Sequence, residues 1–235
     1  MVPAIVLLVL GAIMSAVFIV SKVTNYSLKT IIFKTLASLF FVALAIYCVV
    51  ITEGHVLFKV FTLMGLVFGL LGDVFLGFKY ITTKTKNVWI LAGMFSFAFG
   101  HISYIIGLFL EFYIPGNILF IFLPFITAIC ISGLYMTFKG KLGIEFGKMM
   151  PFGIFYLLCL TTMLSTSLHM AILNGFSITT SWMFFMGACF FCASDFMLTG
   201  AYFKKGKRPK WYNAVYSVCY YLAQFIIAFS IFFLV

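Results

Sequence analysis

The chain has only five acidic residues, and three of them, Glu53, Glu111 and Glu145, fall in segments that read as loops. The other two, Asp73 and Asp195, lie inside long apolar stretches, each one to two helical turns from the end that runs into basic residues. An Asp at the centre of a membrane helix costs about 2.5–3.5 kcal/mol on insertion scales and less near the interface, so neither is expected to face lipid. Two carboxyl groups at close range do not both ionise easily, and such a pair can act as an acid and a base near neutral pH. That suits hydrolysis of an acid-labile bond. One group donates a proton and the other orients water or stabilises an oxocarbenium ion.

Other polar residues recur at helical spacing around this pair. Gly65, Gly69, Asp73 and Gly77 repeat every four residues, a stripe of small residues that permits close helix approach. Ala188, Cys192, Asp195 and Thr199 form a comparable stripe, with Ser194 beside Asp195. Phe97, His101 and Tyr104 share one face, as do Asn213, Tyr216, Tyr220 and Gln224. Lys34 stands at the basic end of its own apolar stretch, where it is expected to reach phosphate at the membrane surface, as any snorkelling boundary lysine does. Each of these has a plainer alternative: an interhelical hydrogen bond for the aspartates, a core imidazole for His101, an interfacial belt for the tyrosines. His55 and His169 read as loop or boundary residues. The six cysteines all fall in apolar stretches with neither a disulfide framework nor zinc-ligand spacing, and Cys189 and Cys192 read as packing residues.

The elements that must position these side chains follow from composition. Of 235 residues, 65% are hydrophobic and 9% charged, with 32 Phe and a mean hydropathy of +1.22, against about 25% charged in an ordinary soluble domain. A water-soluble globule, a disordered tail and a nucleic-acid-binding domain are excluded. Apolar runs near the ~20 residues that cross a bilayer as a helix recur throughout. They predict eight transmembrane helices at about 2–20, 31–51, 57–78, 88–109, 117–137, 151–171, 181–199 and 213–234. The chain is therefore expected to be an all-α integral membrane protein with one transmembrane domain over 1–235. Fourteen of the 15 basic residues lie in or beside the first, third, fifth and seventh loops. The positive-inside rule puts those loops in the cytoplasm and both termini outside, most simply in a bacterial plasma membrane. The net charge of +10 then reports topology and contact with anionic membrane lipids, not a nucleic acid. The first span has no preceding Lys or Arg and reads as uncleaved.

Sliding the chain along itself by 122 residues aligns 64–89 with 186–211 without a gap, and seven of 26 positions are identical. Among them are Gly65/Gly187, Asp73/Asp195, Tyr80/Tyr202 and Trp89/Trp211. This predicts a 4+4 parallel internal repeat with halves of about 1–112 and 113–235, whose pseudo-two-fold axis would bring the third and seventh spans face to face.

Known intramembrane hydrolases fit poorly. Leu71 precedes Gly72-Asp73 where aspartyl proteases require Gly-x, the three histidines are scattered where ceramidase-type zinc enzymes cluster them, and no rhomboid Gly-x-Ser loop is present. In contrast, Gly72-Asp73-Val74-Phe75-Leu76 and Gly93 through Phe97 to His101 and Tyr104 resemble the GD-x-x-L and G-x-x-x-F-x-x-x-H-x-x-Y signatures of the YhhN-like lysoplasmalogenase family. Gly187 to Asp195 is similar to its GA-x-x-F-x-x-SD segment, Phe203 and Tyr220-Tyr221-Leu222-Ala223-Gln224 to its F and YY-x-x-Q elements, and Lys34-Thr35-Leu36 to a K-P-L stretch. Thr35 replaces the usual Pro, and Ala201 stands where members often have Asn. The resemblance implies an eight-span hydrolase without a metal or organic cofactor that cleaves the vinyl-ether bond of a lysophospholipid, the lysoplasmalogen, to a fatty aldehyde and a glycerophospho-headgroup. It implies Asp73 and Asp195 as catalytic residues, supported by Lys34, His101, Tyr104, Ser194, Tyr220 and Gln224. A small-solute or lipid transporter with its site at the repeat interface is the alternative, and a lipid-binding structural protein a third reading. Headgroup preference and oligomeric state are not legible in the sequence.

Overall fold

In the computed structural model the described residues are 1–24, 26–81, 83–113, 119–174, 178–206 and 208–234. Lys207, one of the basic loop residues read above, lies outside them. Eight helices follow one another: α1 Val2–Thr24, α2 Leu28–Ile51, α3 Val56–Phe78, α4 Lys86–Phe112, α5 Leu119–Phe138, α6 Met150–Leu173, α7 Thr179–Phe203 and α8 Lys210–Ser230. All eight carry a stretch long and apolar enough to cross a membrane. With no water in hydrocarbon to satisfy backbone N–H and C=O groups, a helix is the form in which such a segment can cross. Most run past the apolar windows read from sequence, because the backbone stays hydrogen-bonded until water can replace its partners. α7 thus continues to Phe203 and places Tyr202 on the same helix as Asp195.

Consecutive helices pack as neighbours within α1–α4 and within α5–α8. The two sets meet where α4 packs on α6 and α2 on α8, two contacts that the 122-residue offset exchanges. The same offset carries the bounds of α2 onto those of α6. α1 departs from this pattern by packing also on α8. α3 and α4 approach closely: a Cβ on Gly100 would lie 3.1 Å from the Gly65 carbonyl oxygen. Hydroxyl pairs knit two further joints, Ser21 with Thr30 at 2.7 Å between α1 and α2, and Ser132 with Thr161 at 2.8 Å between α5 and α6. α1 and α5 are the most exposed spans, turning Val6, Val9 and Ile13, and Phe122, Ile126 and Ile129, outward, as lipid-facing helices should.

Candidate active site

Asp73 sits on α3, 2% exposed, at the centre of a polar network drawn from three other helices. Lys34 of α2 places Nζ 2.9 Å from Asp73 Oδ1 and also donates to the Asp73 carbonyl at 3.2 Å. Ser38, one turn along α2, donates to Oδ2 at 2.5 Å, and the Tyr220 hydroxyl of α8 donates to the same oxygen at 2.8 Å. The network continues outward: Gln224 Nε2 donates to the Tyr220 hydroxyl at 2.9 Å, and the Tyr104 hydroxyl of α4 donates to Gln224 Oε1 at 3.3 Å. The small residues of α3 make room for it. A Cβ on Gly65 would fall 2.2 Å from the Tyr104 ring, and one on Gly69 2.5 Å from Gln224 Nε2. The small-residue stripe therefore seats polar side chains as well as bringing helices together.

Asp195, 5% exposed on α7, has different company. The Tyr156 hydroxyl of α6 makes a short hydrogen bond to its Oδ2. His101 of α4 reaches the same phenol through Nε2 at 3.3 Å, and Phe191 meets the His101 ring edge-on at 4.8 Å. His101 Nδ1 is buried without a partner among the described residues. Among those residues no cation forms an ion pair with Asp195.

Both aspartates line one polar cavity of about 400 Å³, together with Lys22, Lys34, Ser194, Tyr216 and Tyr220. Asp195 also lines an adjoining, mostly apolar cavity of about 600 Å³ walled by Met94, Leu157, Leu160, Phe196 and Phe203. Leu76, Phe97, Leu198 and Tyr202 are common to the two, so the carboxyl of Asp195 stands where polar and apolar spaces meet. The face-to-face pairing expected of the aspartates takes the form of a shared cavity. They do not hydrogen-bond each other, because Lys34, Ser38 and Tyr220 take up the oxygens of Asp73 and Tyr156 holds Asp195. Lys34, expected to meet phosphate, is held by Asp73. Among the described residues no group of three His, Cys, Asp or Glu is arranged to hold a metal ion.

Sequence reasoning gathered Asp73, Asp195, Lys34, His101, Tyr104, Ser194, Tyr220 and Gln224, and the structure places the last six around the two aspartates. It missed Ser38, Tyr156, Lys22 and Tyr202. A signal for Tyr156 was available: the offset that relates Asp73 to Asp195 also relates Lys34 to Tyr156.

Eight spanning helices around two buried carboxyl groups, with a mostly apolar cavity beside them, define a polytopic membrane protein with an intramembrane polar site. The chain belongs to the YhhN family, whose model matches residues 29–231. No curated protein and no solved structure matches the chain.

Proposed function

We propose that the protein is a membrane hydrolase that cleaves the vinyl-ether bond of lysoplasmalogens, releasing a fatty aldehyde and a glycerophospho-headgroup. The observation that carries this reading is that two carboxyl groups with unlike partners open onto one polar cavity joined to an apolar one. Asp73, ion-paired with Lys34 and accepting two hydroxyl donors, is stabilised as the carboxylate. Among the described residues Asp195 bonds a phenol and pairs with no cation, so the neutral acid is its cheaper state in a buried wall.

The roles follow. Asp195 gives its proton to the alkene carbon of the vinyl ether that is remote from the oxygen, and the electron pair of the double bond forms the new C–H bond. The ether oxygen shares its lone pair with the adjacent carbon, and the carboxylate of Asp73 stabilises the resulting oxocarbenium ion. Water adds to that carbon, its released proton restores Asp195, and the hemiacetal collapses to aldehyde and alcohol. The sum consumes one vinyl ether and one water. Tyr156 and His101 position Asp195, while Tyr220, Gln224 and Tyr104 position the Asp73 side. The alkenyl chain lies in the apolar cavity, which a single-chain lipid enters from the bilayer.

Purified protein should release aldehyde from lysoplasmalogen and none from the saturated ether analogue. Release from neither substrate by well-folded protein would overturn the reading. In this arrangement the basic loops face the cytoplasm. A cysteine at Lys205 should label from that side only, and external labelling in sealed cells would reverse the orientation.

A further inference from the structure

A third cavity, about 1250 Å³ and open to solvent, lies at the basic-loop end of the bundle, lined by Lys79, Lys86 and Arg208 together with Tyr202, Asn213 and Tyr216. Tyr202 and Tyr216 also wall the polar cavity that holds Asp73 and Asp195, so the two spaces share a partition. Lys79 is 4% exposed just past the end of α3, its Nζ 3.1 Å from the centroid of the Tyr202 ring and 4.5 Å from that of Tyr80, the two tyrosines that the 122-residue offset relates. Aromatic faces relieve part of the cost of burying an ammonium, and a full counter-charge relieves far more.

The chain's own carboxylates do not supply that counter-charge. Asp73 is taken by Lys34, Glu111 by His55 and Glu145 by Lys205, Asp195 bonds Tyr156, and Glu53 is exposed in the loop between α2 and α3 at the opposite end of the bundle. Burial first, then the charges of Lys34, Lys22 and Lys86, holds the Lys79 ammonium well below the ordinary lysine range. At the rim, Arg208 spends one guanidinium nitrogen on the Lys205 carbonyl at 2.8 Å and leaves Nε buried without a hydrogen-bond partner among the described residues. Like charges collected around a cavity without a carboxylate are the electrostatic form of an anion site.

We propose that this basic vestibule binds a phosphate group, with Lys79 at its base and Lys86 and Arg208 at its rim. Resting on the function proposed above, it takes the phosphodiester of the lysolipid headgroup while the chain lies beyond the aspartates in the apolar cavity. Lys34 is then free to remain the partner of Asp73.

The test is binding without turnover, so it stands whether or not vinyl-ether cleavage is found. Detergent-purified full chain is titrated calorimetrically with the saturated ether lysophospholipid and with the corresponding alkylglycerol, which lacks the phosphate. The wild type should prefer the phospholipid by about tenfold or more, the scale of one charge-assisted contact. Lys79→Gln should bring the two ligands to within about twofold without weakening alkylglycerol binding, and Lys79→Arg should restore the preference. Because Lys79 is buried, Arg208→Gln at a half-exposed position serves as the second variant and should cut the preference on its own. Equal binding of both lipids by the wild type, with no stabilisation by inorganic phosphate, would overturn the proposal. So would a full preference retained in both Lys79→Gln and Arg208→Gln. If inorganic phosphate alone raises the wild-type melting temperature, but not that of the variants, and the lipids bind equally, the phosphate site stands with free phosphate as its occupant.

Discussion

The two aspartates stand 122 residues apart in the chain and differ in chemical company. The 122-residue offset superimposes Asp73 on Asp195 and Lys34 on Tyr156, and each aspartate is bonded to the residue at that second position of its own half. In the first half the partner is a cation, in the second a phenol. Two carboxyl groups with the same partners would be interchangeable, and nothing would decide which holds the proton. The difference between Lys34 and Tyr156 is enough to remove that degeneracy: Asp73 has a fixed counter-charge, and among the described residues Asp195 has none. Division of labour between the two groups then needs no difference in depth or burial, since both are nearly inaccessible.

The strongest way to break this comparison is to neutralise each aspartate. Asp73→Asn and Asp195→Asn should each lower vinyl-ether cleavage by ~10²-fold or more, the scale of a lost general acid–base group. The double variant should be no slower than the slower single, because the two act as a unit. Stability should separate them. Asp73→Asn leaves the Lys34 ammonium, 14% exposed, without its counter-ion and should cost about 3 kcal/mol. Asp195→Asn leaves a neutral phenol and should melt close to the wild type. Turnover of variants that elute as wild type on size exclusion, together with their melting curves, checks both statements. Ready turnover by folded Asp195→Asn would transfer the proton work to His101.

A second experiment makes the halves alike. Tyr156→Lys places beside Asp195 the residue that Asp73 already has, which should hold Asp195 as a carboxylate and remove the proton donor. Activity should fall nearly as far as in Asp195→Asn. Tyr156→Phe, which deletes only the phenolic hydroxyl and with it the contacts to Asp195 and His101, should cost about tenfold. Lys34→Met probes the other side, and because Lys34 is engaged by Asp73 its effect should appear in kcat and in stability. An effect confined to KM would return Lys34 to the substrate phosphate and contradict the assignment of the vestibule.

How far the sequence revealed this site follows from what each signal encodes. The eight spans were legible because hydrocarbon imposes one length and one backbone form on every crossing segment. The aspartates were legible because an ionisable group at such depth is expensive and rare. His101, Tyr104, Tyr220 and Gln224 share helical faces and could be grouped within a helix, but which aspartate each serves depends on how α4 and α8 dock, which no single helix encodes. Tyr156 was missed since a tyrosine among apolar residues looks like any other of the chain's 12. Ser38 was missed for a related reason: a lone hydroxyl in a membrane helix ordinarily bonds its own backbone, and Ser38 does so at 3.0 Å to the Lys34 carbonyl besides serving Asp73. The vestibule was hidden in the charge pattern, where topology alone accounts for basic loops.

The smallest expected effect tests whether the outer network of Asp73 matters in its half alone. Gly69 faces Gln224, and the Cβ of an alanine there would lie 2.5 Å from Nε2, the end of a flexible side chain that can swing away without unfolding the bundle. Once displaced, Gln224 no longer donates to the Tyr220 hydroxyl, and Tyr220 in turn holds Asp73 less firmly. One neutral hydrogen bond at ~1 kcal/mol corresponds to about fivefold in kcat. KM should stay unchanged if the substrate does not touch Gln224. Gly133 on α5 supplies the control, because nothing lies within 4 Å of a Cβ at that position and alanine there should leave turnover as it is. If Gly69→Ala lowers kcat by this amount while Gly133→Ala does not, the network that reaches Asp73 through Tyr104, Gln224 and Tyr220 positions the carboxylate. If Gly69→Ala is as active as Gly133→Ala, Asp73 is held by Lys34 and Ser38 without help from the outer network, and the two sites differ in the residues at those two positions, where the offset sets Tyr156 against Lys34 and Leu160 against Ser38.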